Sequence, residues 1–139
     1  MKRYELVDYQ RYLGEAIAEI ATAEAAVIQG AQQWMELARQ NVEEDRPFTA
    51  EDDARLEALQ ATACRIAWHA VEGILFRTGG SGSARNGERM QRYWRDMSTY
   101  WSHNTPAQRD ALLTRLARRR LGLPLDVPGD VPNTDPVGS

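Results

Sequence analysis

Residues Ala16–Ala26 read AIAEIATAEAA. Alanine is the strongest helix former, so this stretch is helical by propensity. Its small side chains also permit close approach of a second helix. Working outward, Leu6, Leu13, Ile17, Ile20, Val27, Ala31, Trp34 and Ala38 recur at steps of three, four and seven. They form one continuous stripe over residues 5–41, and an apolar stripe of this kind faces a core. At about 1.5 Å per residue the helix is about 50 Å long, a length typical of a bundle.

The rest of the chain continues in the same style. No stretch alternates apolar and polar residues with β-branched enrichment, so strands are not expected. NVEEDRPFTAEDD (Asn41–Asp53) is a connection, with Thr49 as a helix N-cap and Glu51, Asp52 and Asp53 favouring the helix dipole. Leu56, Leu59, Ala63, Ile66, Ala67, Ala70, Ile74 and Leu75 make a second stripe ending near Phe76. RTGGSGSARNG (Arg77–Gly87) is a glycine-rich loop. A third helix is predicted over Glu88–Ser102. Asn104, Thr105 and Pro106 break it and start a fourth, which Gly122 and Pro124 end. The expected fold is all-α, an antiparallel four-helix bundle over residues 1–122. The Pro/Gly/Asp-rich tail, residues 123–139, is expected to be disordered.

Bulk properties narrow the function. A chain of 139 residues suits one domain, and 27% charged residues fit a soluble one. The lone Cys64 excludes an internal disulfide and fits a reducing cytoplasm. No signal peptide is evident, and no apolar run approaches the roughly 18 residues of a membrane span. The net charge of −3 conceals an asymmetry. Residues 1–76 carry 7 Lys/Arg against 14 Asp/Glu, and residues 77–120 carry 10 Arg against 3 Asp/Glu. The arginine-rich segment suits an anion such as a cofactor phosphate, or a solvated face that pairs with the acidic half. RLARRRLG (Arg115–Gly122) has no companion helix of a DNA-reading motif and no Asn/Gln readout set, so nucleic acid is not expected.

Candidate sites follow. A di-iron bundle needs Glu-x-x-His on two helices, but Ile66 and Tyr100 stand three residues before His69 and His103. One cysteine and two histidines also argue against zinc, so no metal is expected. His69, among Ile66, Ala67, Trp68 and Ala70, reads as a partly buried structural histidine, and Cys64 as an inert core thiol. TGGSGS (Thr78–Ser83) before a helix offers unhindered backbone N–H groups to a phosphate, or serves simply as a flexible connection. Asp96 lies four residues after Arg92 and suits a structural ion pair. His103, flanked by Trp101 and Asn104 at a helix end, is placed to exchange a proton.

Taken together, LFRTGGSGSARNGERMQRYWRDMSTYWSHN (Leu75–Asn104) resembles the C-terminal helical domain of the acyl-CoA dehydrogenase superfamily. It is most similar to the branch of two-component flavin-dependent monooxygenases. The likeness rests on Gly79-Gly80-Ser81, then Arg92, Arg95 and Asp96, then His103 seven residues past the aspartate. With the upstream helices it covers about residues 9–122. It implies that Gly79, Gly80 and Ser81 lie near the phosphate or adenosine end of a flavin, FAD or FMN. It also implies that His103 is catalytic, handling protons beside flavin and substrate, and that Arg92, Arg95 and Asp96 fix the helix. Trp94, Trp101 and Asn104 are candidate substrate walls.

Full members of the superfamily also carry an N-terminal helical domain and a β-domain. The resemblance therefore implies the small subunit of a split monooxygenase for a small organic substrate, aromatic or a natural-product intermediate. A partner chain would carry the missing domains, and a separate reductase would supply reduced flavin, in a homo- or hetero-oligomer. Other readings stay open. The chain could be a stand-alone helical dimer with a flavin-independent role, a non-enzymatic interaction subunit, or an excised piece.

Overall fold

The computed structural model describes residues 2–103 and 106–124, without the side chains of Ser83, Ala84, His103, Pro106 and Ala107. A short 3₁₀ turn (Arg3–Glu5) leads into α1 (Val7–Glu44). α2 (Ala50–Trp68) runs on directly into a π-helical segment (His69–Phe76). α3 (Arg89–His103) and α4 (Pro106–Arg120) complete the fold, and no strand occurs among the described residues. The four helices fall where the sequence predicts them. The glycine-rich stretch is less open than expected, since the helix extends to Thr78 and Ser81–Ala84 form a 3₁₀ turn. The predicted tail lies outside the described residues beyond Pro124.

The turn between α1 and α2 is short because both helix ends are locally terminated. Asp45 takes the left-handed conformation, φ 52°, and its N–H donates to the carbonyl of Gln40. Thr49 then caps α2, as predicted. Its hydroxyl accepts from the N–H of Asp52 at 3.1 Å, and Asp52 reaches back to the N–H of Thr49 at 3.2 Å. Asp52 is the one buried polar residue of the described core. The Thr49 hydroxyl, which donates to it at 2.7 Å, holds its carboxyl below the ordinary range, helped by Arg46 and Arg55.

α2 is the centre of the bundle. Along one side α1 runs antiparallel to it, with Gly30 against Leu59, Glu19 against His69 and Arg3 against Gly79. Along the other side α3 and α4 return in series. Phe76 meets Trp94, Trp68 meets Trp101, Gln60 meets Tyr100, and Arg120 pairs with Glu51 at 2.9 Å. That last pair joins the arginine-rich half to the acidic half, one of the two expected uses of the charge asymmetry.

The core is built of small residues. Ala16, Ala23, Ala54, Ala58, Ala61, Ala63 and Ala70 are buried, with Leu37, Cys64 and Ile74. A Cβ added to Gly30 would stand 3.1 Å from Leu59 Cδ2, a measure of how closely α1 and α2 approach. This corrects the reading of the α1 stripe. Leu13, Ile17, Ile20, Val27 and Trp34 are exposed, while Ala16 and Ala23 face inward. Close approach selects the alanine seam, and the larger side chains, from Trp34 and Val27 nearly in line with Ala16 to Ile17 about 100° around the helix, are left outside. Ile20 and Val27 border a groove floored by Ala63, Cys64 and Ala67, with Met97 and Tyr100 of α3 on its far wall.

Candidate functional site

The break in regular α-helical hydrogen bonding at His69 shapes the site. π-helical turns concentrate at functional positions because the wider turn re-aims side chains. Here His69 begins the π segment, and its Nδ1 lies 2.8 and 2.9 Å from the two carboxylate oxygens of Glu19 on α1. A carboxylate only accepts, so in the neutral ring the hydrogen sits on Nδ1 and Nε2 keeps its lone pair. Gly73, one turn on, makes room for the ring. A Cβ there would lie 2.9 Å from His69 Cδ2 and 3.1 Å from Nε2.

The reading of His69 as partly buried therefore needs correction. Its side chain is 54% exposed and opens onto a cleft of about 590 Å³, while Glu19 is only 26% exposed. Tyr9 and Tyr12 line one wall, their rings edge to face at 6.5 Å. Ile74, Arg77 and Thr78 line another. Arg3 closes one end, donating to the carbonyl of Gly79 at 3.3 Å with its guanidinium over the Tyr9 ring. Gly80 lines the same end at φ +70°, and a Cβ on it would stand 3.4 Å from Arg3 Nη1. The cleft thus joins a proton-accepting nitrogen to a bare glycine backbone and an arginine, with the carboxylates of Asp8 and Glu15 also on its lining.

The residues singled out in the sequence separate into three places. Gly79 and Gly80 come to the arginine end of the cleft, and Ser81 is exposed at the start of the 3₁₀ turn beside them. Trp94 and Trp101 lie in the contact between α2 and α3. Trp101 stacks on Trp68 with centroids 6.4 Å apart, and Trp94 reaches Trp68 at 6.2 Å and Phe76 at 5.2 Å. The indole N–H of Trp94 is buried and makes no hydrogen bond among the described residues. His103 is the last residue of α3, about 20 Å along the helix from its first residue, Arg89. Its side chain and all of Asn104 lie outside the described residues. Arg92 and Arg95 pair loosely with Asp96, at 3.9 and 4.0 Å on an exposed face.

Sequence reasoning missed the His69–Glu19 pair. Its trace was legible: Glu19 interrupts the small-residue seam of α1, and a glycine follows His69 at one helical turn. Among the described residues no group of three or more His, Cys, Asp or Glu is placed to hold a metal ion.

The fold and cleft define an all-α helical-bundle domain. The family model for the acyl-CoA dehydrogenase C-terminal domain matches residues 5–107, from the N-terminal turn to the start of α4. The chain belongs to this family, whose members are in general flavin-dependent. No curated protein and no solved structure matches it.

Proposed function

We propose that the chain is the small, helical subunit of a split flavin-dependent monooxygenase acting on a small organic substrate, aromatic or a natural-product intermediate. A partner polypeptide supplies the flavin-binding β-domain and the N-terminal helical domain, and a separate reductase delivers reduced flavin. The observation that carries this reading is the cleft in which Gly80 and Arg3 sit at one end and the His69–Glu19 pair opens at the other. Family membership gives that arrangement its chemical context.

The fit to flavin is partial. An exposed glycine backbone without Cβ, beside a guanidinium, suits the phosphate end of the cofactor. The cleft is open, so the flavin ring and the far side of the substrate are walled by the partner. Bound flavin supplies the reducing equivalents for oxygen chemistry. This chain's residues orient the substrate against Tyr9 and Tyr12, exclude water, and accept or return a proton at Nε2 of His69. Glu19 acts as a positioning residue that holds the ring. The catalytic role expected of His103 rests on the family resemblance and falls on a side chain outside the described residues; the role proposed for His69 rests on its position in the cleft.

Co-expression with the neighbouring reading frame tests the proposal. A complex that retains flavin absorbance, and loses turnover on His69→Gln without losing flavin, is the expected result. A colourless chain that turns over substrate alone overturns it in favour of the flavin-independent reading.

A further inference from the structure

Charged groups along the His69 cleft are engaged, with one exception. Arg77 donates to Glu72 at 3.0 Å, and Arg11 turns to Asp8 at 3.5 Å with its guanidinium over the Tyr12 ring. Arg3 is held by the Gly79 carbonyl and the Tyr9 ring, and Glu19 by His69. Glu15 also lines the cleft, and among the described residues its carboxylate has no ion-pair or hydrogen-bond partner. Arg11, four residues earlier on the same helix, stands at a spacing that suits such a pair but is turned to Asp8 instead.

Register places this carboxylate beside the proposed base. Glu15 precedes Glu19 by one helical turn, about 6 Å along α1. The π segment runs antiparallel to α1 with His69 against Glu19, so Gly73, one turn on, comes level with Glu15. The imidazole leans the same way. Nδ1 faces Glu19, whereas Nε2 lies over Gly73, 3.1 Å from where a Cβ would stand. The bare glycine leaves open space between the Glu15 carboxylate and the Nε2 lone pair, two acceptors on facing walls.

A ligand group that satisfies both acceptors and the charge carries a positive charge and at least two N–H donors. A protonated primary or secondary amine does so. An alcohol offers one O–H and no charge, and a carboxylate is repelled by Glu15. A guanidinium has the charge but keeps its proton from an imidazole. Tyr9, Tyr12 and Ile74 give the body of the ligand apolar contact.

We propose that the cleft takes a small organic amine, anchored as its ammonium by Glu15 with one N–H directed at Nε2 of His69. The chemical consequence rests on the base role proposed above. One proton passes from the ammonium to Nε2, leaving a neutral amine with its lone pair free and an imidazolium held by Glu19. Glu15 is then the residue that selects the substrate, and His69 the residue that readies it.

Calorimetry on the full chain tests this with phenethylamine, 2-phenylethanol and phenylacetate, probes alike in size and different in charge. Phenethylamine is expected to bind about three- to tenfold more tightly than the alcohol, and phenylacetate more weakly than both. Glu15→Gln removes the preference for the amine with helical circular dichroism unchanged, since the side chain is exposed. Glu15→Lys reverses it in favour of phenylacetate. Glu24→Gln, on the same helix but outside the cleft, leaves it intact. Equal affinity for the three probes, no saturable binding of phenethylamine, or a preference that survives Glu15→Gln overturns the proposal. The monooxygenase reading fails separately. A co-expressed complex without flavin, whose small subunit still prefers phenethylamine, overturns that reading and leaves the amine site standing, and a flavin-retaining complex without the preference does the reverse.

Discussion

Nδ1 of His69 sits between both carboxylate oxygens of Glu19, a residue fifty positions earlier in the chain. The pair ties the π segment to the middle of α1 and fixes which imidazole nitrogen faces the cleft. Partial exposure of both groups keeps its contribution to stability small, so its main consequence is chemical. On the proposed function, in which His69 is a general base of an assembled enzyme, His69→Gln is expected to lower kcat about 10²- to 10⁴-fold, the usual range for loss of such a base. Glu19→Gln keeps the ring but loosens its orientation, and a smaller fall in kcat is expected, with a displaced pH profile. Equal kcat values for wild type and His69→Gln remove the nitrogen from the mechanism.

Gly73 tests the geometry independently of activity. Alanine there places a Cβ 2.9 Å from His69 Cδ2. Gly73→Ala is expected to destabilise the chain by about 1–3 kcal/mol through overpacking. The cost should shrink in a His69→Ala background, where nothing opposes the added methyl. Urea unfolding of the four proteins of this double-mutant cycle reads the coupling directly.

The Thr49–Asp52 capping box gives a prediction in pH. Folding lowers the Asp52 carboxyl below its ordinary value of 3.8, chiefly through the Thr49 hydroxyl. A carboxyl lowered on folding stabilises at pH above that value, and the benefit fades as pH falls through the lowered folded value. Thr49→Ala is expected to cost about 1 kcal/mol at pH 7. Asp52→Asn should flatten the acid limb of a plot of Tm between pH 2 and 7. An unchanged limb would show that Asp52 does not govern acid unfolding.

The aromatic contact between α2 and α3 carries much of the packing on that side. Trp68 touches both Trp94 and Trp101, and Trp68→Ala is expected to cost about 3–5 kcal/mol. Tyr93, on the same helix as Trp94 but exposed, should tolerate alanine to within about 0.5 kcal/mol. Chemical denaturation compares the two, and similar costs would deny the tryptophans a packing role.

The helices themselves were legible before any coordinates. Alanine-rich propensity, the Thr49 cap, the glycine run after Phe76 and the Asn104–Pro106 break are local signals, and local signals mark element types and ends. Family membership was legible too, because the spacing from Gly79 to His103 is a linear pattern. What no local signal encodes is which side of α1 meets α2. Hydrophobicity favoured the Leu13–Trp34 stripe, yet close packing selected Ala16 and Ala23, because the distance between two helix axes is decided jointly by both surfaces. The same long-range choice placed Glu19 against His69 and turned Trp94 and Trp101 into the α2–α3 contact. Those pairings depend on residues tens of positions apart meeting across a helix interface, and only the tertiary structure brings them together.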